Sequence, residues 1–153
     1  MKLVKCTEEH TSTLEEWFKD TNMVEFLLDE PPNESLPYLR YMICLDDNSP
    51  VGYIILYNID TINQVADVGI AIPDKRGRGL SHSAGKLLGR LAFGPLGLRR
   101  VRLRIQGRNR VARRLAELFG FVHEGVEREA ILLNGKPEDI HIYGLLKNEF
   151  KEV

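Results

Sequence analysis

Cysteine is almost missing from this chain. Cys6 and Cys44 are the two in 153 residues, with no CxxC and no histidine pair near them. A disulfide scaffold is therefore excluded and no metal site is expected; both thiols read as small apolar fillers. No apolar run approaches the ~18 to 20 residues that a bilayer crossing needs. The first ten residues also lack the apolar centre of a secretion signal, so the expectation is a cytoplasmic protein with no membrane partner. What is abundant is ordinary: 43% apolar and 28% charged residues, the mix of a folded globular chain. Disorder and collagen-like repeats are excluded, and the length suits one domain over 1–153 with a core of its own.

Acids are scarce in one stretch. From Pro73 to Arg114 there are 13 basic residues and a single acid, Asp74. The first 72 residues are the reverse, with 4 Lys+Arg against 13 Asp+Glu. A basic stretch presents a positive field to a nucleotide, a phosphorylated cofactor or RNA. Aromatics, however, are absent between Phe93 and Phe119, where RNA recognition would want stacking side chains among the arginines, so a nucleic-acid partner is disfavoured. Asp29, Glu30 and Glu34 in the acidic half would attract a cation. The bland alternative for both halves is solvated surface that neutralises itself across the fold.

The hydrophobic pattern alternates between two periods. Residues 2 to 6 read as a strand, followed by Thr7 as a helix cap and a helix in which Leu14, Trp17 and Phe18 share a face. A further helical turn over Val24 to Leu28, a proline-rich loop over 29–37 and a short helix around Leu36 to Tyr41 follow. Tyr41 to Leu45 and Val51 to Tyr57 read as a hairpin. Val65 to Ile72 is a strand with Val68, Ile70 and Ile72 on one face and Asp67, Gly69 and Ala71 on the other. The helix after it places Leu80, Ala84, Leu87, Leu88 and Leu91 together and stops at Gly94-Pro95. Arg100 to Gln106 is a strand with its arginines outward, and the next helix carries Val111, Leu115, Leu118 and Phe119 on one side, ending at Gly120. Phe121 to Leu133 and Ile140 to Leu146 close the chain, joined through Asn134-Gly135 and Pro137. The fold class is mixed α/β (α+β), with an antiparallel front and a strand-helix-strand-helix-strand middle.

The segment Ile70 to Ser81 ends a strand, turns through glycines and starts a helix at once. Such a turn gathers main-chain N–H groups at the positive end of a helix dipole, with no Cβ at Gly77 or Gly79 to keep a phosphate away. A dinucleotide GxGxxG would need glycine at position 82, which is His82, and a Walker loop would need glycine at Ala84 and Ser or Thr at Leu87; neither matches. Arg76-Gly77-Arg78-Gly79-Leu80-Ser81 does resemble the acetyl-coenzyme A loop of the GNAT N-acetyltransferases: Arg or Gln, two residues, Gly, one residue, then Gly or Ala. Ser81 is the departure. The resemblance extends over roughly residues 50 to 147. Gly-Leu-Arg-Arg-Val from Gly97, Asn109 with Ala112 and Leu115, Gly120-Phe121, Arg128-Glu129, Asn134-Gly135, Asp139 and Tyr143-Gly-Leu-Leu are similar to the Rim-type ribosomal-protein branch.

The resemblance implies a single mixed, mostly antiparallel twisted sheet flanked by helices and splayed at the cofactor site. It implies acetyl-CoA as acetyl donor, its arm against the main chain of Ile70, Ala71 and Ile72, its diphosphate at Arg76, Gly77, Arg78, Gly79, Leu80 and Ser81, and Asn109 on the arm. Asn109 also reads as a plain helix cap. The reaction implied is direct attack of a primary amine, on a protein N-terminus or a small molecule such as a polyamine, aminoglycoside or amino sugar. A lysine-like amine has an ordinary pKa of about 10.4 and must shed a proton before it attacks. Asp67 is the first candidate base and His141, alternating with Ile140 and Ile142, the second. Ala116 stands where many relatives carry a tyrosine acid, which leaves an acyl-CoA binding or sensing module without turnover as the alternative. A homodimer is compatible with either reading.

Overall fold

The computed structural model describes residues 1–19, 37–73 and 79–152. Among them run seven strands, β1 (Lys2–Lys5), β2 (Leu39–Cys44), β3 (Pro50–Asp60), β4 (Val65–Ala71), β5 (Arg100–Gln106), β6 (Val122–Leu133) and β7 (Lys136–Leu146). The described helices are α1 (Thr11–Phe18), α2 (Leu80–Phe93) and α3 (Arg110–Leu118), with a 3-10 turn over Glu8–His10 before α1. The sheet order is β1-β2-β3-β4-β5-β7-β6. All pairs are antiparallel except β4 with β5. That one parallel pair is the crossover through α2, as the strand-helix-strand pattern requires.

Both faces of the sheet are used differently. On one, α2 and α3 cover Ile54, Leu56, Val68, Val101, Tyr143 and Leu145, and Ala84, Leu88 and Ala92 of α2 are buried against them. On the other, α1 covers β2, β3 and the end of β4, where Leu14 packs with Met42, Cys44, Tyr53 and Ala71, and Trp17 and Phe18 flank them. Trp17 stacks near Tyr53 with ring centroids 6.4 Å apart. Gly52 of β3 is required by a close approach: a Cβ there would lie 2.3 Å from the Ala71 carbonyl oxygen, so the end of β4 can curl over β3.

The strand readings hold to within a residue or two for most elements, and three local readings change. Leu39 to Tyr41 pair with β3 as strand, so the short helix expected around Leu36 to Tyr41 does not extend over them. Pro137 is inside β7 opposite Leu132, and the turn is Asn134-Gly135 alone, with φ of 50° and 75°, the twist a two-residue hairpin favours. On α3, Val111 and Leu118 are exposed while Ala116 is buried, so the helix is rotated from the expected stripe. Val24 to Leu28, Asp29, Glu30 and Glu34 lie outside the described residues. No described helix is long and apolar enough to cross a membrane.

Candidate active site

Between β4 and β5 the sheet opens. The two strands pair at Val65↔Arg100, Ala66↔Val101 and Asp67↔Arg102 and then part, although β4 continues to Ala71 and β5 to Gln106. A cleft of about 1160 Å³ occupies the gap and reaches both faces of the sheet. On the α2/α3 side it is lined by Ser81, His82, Leu88, Asn109, Ala112 and Leu115; on the other by Phe18, Arg40, Tyr53, Ile55 and Tyr57. Ile70, Ala71 and Ile72 form its β4 lip. Past Asp67 the ladder to β5 ends, so a ligand lying along this lip meets main-chain groups as an added strand does.

The helix end beside the lip is built for close approach. Gly79 caps α2 with φ of 95°, a left-handed conformation that glycine adopts without strain, and no side chain caps the helix there. The first N–H groups of α2, from Leu80 and Ser81 onward, have no partner within the helix. Arg76, Gly77 and Arg78 lie outside the described residues. Across the cleft Asn109 caps α3, its Oδ1 accepting from the Ala112 N–H at 3.1 Å. Its amide nitrogen still has donors to offer the cleft that it lines. Gly85 lets α3 approach α2: a Cβ there would sit 2.5 Å from the Phe119 ring, which also stacks on His82 at 5.5 Å.

The candidate bases are both engaged elsewhere. Asp67 is 3% exposed. Its Oδ1 accepts from Arg102 Nε at 2.6 Å, and its Oδ2 accepts from Arg102 Nη2 at 2.7 Å and Asn58 Nδ2 at 2.8 Å. Arg102 is held above its ordinary pKa first by these hydrogen bonds. The pair sits on the last rung before the strands part, and Asp67 is not among the residues that line the cleft. His141 lies outside the cleft lining, its Nδ1 3.0 Å from His123 Nε2 and the two rings stacked 5.0 Å apart. Burial, then the positive charge of Arg113, pull its pKa down.

Two residues of the branch pattern, Tyr143 and Asp139, have partners of their own. Tyr143 is fully buried on the helix-covered face, where Arg113 Nε donates to its hydroxyl at 3.3 Å. Asp139 accepts from the Glu129 N–H at 2.8 Å and pins the bulge where Glu129 has φ of 52°. Ala116, at the position of the missing tyrosine, is buried and lines the cleft. Burial pushes the Cys44 thiol up, away from nucleophile chemistry. Among the described residues, no group of three or more His, Cys, Asp or Glu is placed to hold a metal ion. The wall of Phe18, Arg40, Tyr53 and Tyr57 was not singled out from the sequence. The alternation of Tyr53, Ile55 and Tyr57 along β3 is the signal that could have found it.

Comparison with known proteins places this geometry. A family model described as an acetyltransferase (GNAT) domain matches residues 2–122. The Bacillus subtilis (strain 168) protein "Putative ribosomal N-acetyltransferase YdaF" is 35% identical over 108 residues, which is 70% of this chain and 59% of that protein's length. The chain thus spans about three fifths of the length of the curated relative it matches. Among solved structures, the spermidine N-acetyltransferase from Vibrio cholerae in complex with CoA and spermine superposes with a TM-score of 0.88 at 20% identity, covering 97% of this chain and 96% of that one. A dodecameric structure of the Vibrio cholerae enzyme gives 0.82 at 20% identity, over 96% and 94%. At that identity the likeness shows the shared fold.

Proposed function

Since the chain belongs to the GNAT acetyltransferase family, we propose that it moves an acetyl group from acetyl-CoA to a primary amine by direct attack in a ternary complex. The observation that carries this reading is the parting of β4 from β5 into a cleft open to both faces of the sheet. One opening admits a donor from the α2/α3 side and the other an amine from the α1 side.

The residues fit such a donor. The lip at Ile70, Ala71 and Ile72 offers main-chain hydrogen bonds to an amide-bearing arm, and the start of α2 at Gly79, Leu80 and Ser81 offers N–H groups and a positive dipole end to a diphosphate. Arg76, Gly77 and Arg78 complete that loop in the proposal, and Asn109 meets the arm from α3. When bound, acetyl-CoA supplies an acyl thioester whose thiolate is a good leaving group. The protein's part is orientation: the lip and α2 hold the donor still while the opposite wall positions the amine, which converts a bimolecular encounter into a local one. With Asp67 and His141 both engaged, water in the open cleft receives the amine's proton. The relative's name and the neighbour's bound spermine suggest a protein N-terminus and a polyamine as acceptor classes to test.

Ala116 favours a second reading, acyl-CoA binding without turnover, because no acid occupies that place. Calorimetry with acetyl-CoA and a thiol-release assay over peptides, polyamines, aminoglycosides and amino sugars separate the two. The expected result is heat on titration and release that depends on one amine class. Heat without amine-dependent release favours the sensor, and absence of heat overturns both.

A further inference from the structure

Arg40 is the odd arginine of its face. The register Arg40↔Ile55, Ile55↔Gly69 and Asp67↔Arg102 puts it on the same side of the sheet as the three arginines of β5. Each of those meets a carboxylate: Arg100 with Glu124, Arg102 with Asp67 and Arg104 with Glu127. Arg40 lines the cleft on the amine side, and its Nε is buried with no hydrogen-bond acceptor among the described residues. Three aromatic rings surround its guanidinium, with centroids at 5.8 Å for Phe18, 5.2 Å for Tyr38 and 5.3 Å for Tyr53.

The rings and the donor answer different needs. Ring faces stabilise the cation through their quadrupole, but guanidinium N–H groups point outward in the plane and require an oxygen. A guanidinium keeps its charge and donors under burial; Nε is closed off from the cleft, so the donors that a ligand there can meet are the terminal Nη groups. Tyr53 is no hidden anion for it: burial pushes that phenol up to about 12 despite Arg40 pulling the other way. Arg40 is two strands from Gly69 in one cross-strand row, about 10 Å at ordinary strand spacing. That is within an arginine side chain and a small substrate of the parted strands.

We propose that Arg40 selects the amine acceptor by donating hydrogen bonds to an oxygen, carbonyl or carboxylate, carried next to the reacting amine. This rests on the transferase reading above and narrows it: an acceptor made only of amines meets a fixed positive charge and offers the terminal guanidinium N–H groups no oxygen. Free amino acids and peptide N-termini both bring the required oxygen.

The test uses acetyl-CoA with three acceptors: alanine (carboxylate), alanyl-alanyl amide (carbonyl) and spermidine (neither). Wild type should show kcat/KM at least about tenfold higher for one alanine probe than for spermidine. Arg40→Gln and Arg40→Lys should each lower that ratio about tenfold to a hundredfold, mainly through KM, which is the worth of a hydrogen bond to a charged donor. Arg40→Lys keeps a cation among the rings, so it tests the donor geometry even if Arg40→Gln unfolds. A loss confined to alanine assigns a carboxylate, and one shared with the amide a carbonyl. An unmoved ratio, or turnover of spermidine with neither alanine probe, overturns the proposal. Absence of acetyl-CoA heat with wild type brings down the transferase reading itself, whereas normal heat with an unmoved ratio overturns the Arg40 assignment alone.

Discussion

The two faces of the sheet around β4 and β5 are held by different forces. Under α2 and α3 the contacts are apolar and dense, with Val68, Leu88 and Val101 almost fully buried. The opposite face of β5 has Arg–carboxylate pairs where the first face has helices, and solvent reaches most of their members. Burial of apolar area is the larger force, so the helix-covered face should carry stability. Exposed ion pairs contribute little energy, so the ladder's contribution is to position strands rather than to hold the fold.

Three substitutions bear on that difference, the strongest first. Leu88→Ala, on the covered face at 3% exposure, should cost about 2–5 kcal/mol in denaturant unfolding; a loss below about 1 kcal/mol would break the contrast between the faces. Asp67→Asn should cost less, about 1–3 kcal/mol. A fully buried broken pair costs more, but the Arg102 side chain is 38% exposed and water relieves part of the penalty. If Asp67 fastens the strands, the residual activity keeps the wild-type pH profile. If instead the melting temperature holds and the rate falls about a hundredfold or more, Asp67 is the base.

Glu124→Gln should be the mildest, under about 1 kcal/mol at pH 7. Hydrogen bonding to Arg100 holds the Glu124 carboxyl below its ordinary value. A depressed carboxylate stabilises the fold above the unfolded value of about 4.3. That contribution is lost as pH falls through the lower folded value. Wild type and variant should therefore converge in stability in acid, and also in concentrated salt. Curves that stay parallel through that range would show that the pair contributes nothing.

The same contrast explains what could be read from sequence. The covered face follows periods of two and 3.6, so Val101 and Ile105 or Ala84 and Leu88 announce their placement locally. The ladder joins residues 23 to 35 positions apart, and no local pattern states a strand register. That is why the pairing of Asp67 with Arg102 was not legible. Val111 and Leu118 misled for another reason: their apolar character suited a core, yet they are exposed and line the cleft. Arg40 was silent because its interest lies in an acceptor that is missing, and absence of a partner has no sequence signature.

Gly52 has a consequence for how this protein can vary. It borders no part of the cleft lining, yet any side chain there would strike the carbonyl at the end of β4. β3 and the lip proposed to seat the donor are thus geared together, and a methyl group on β3 would shift the shelf proposed for a pantetheine amide. Tolerance at position 52 is a gauge of how finely that shelf must be set.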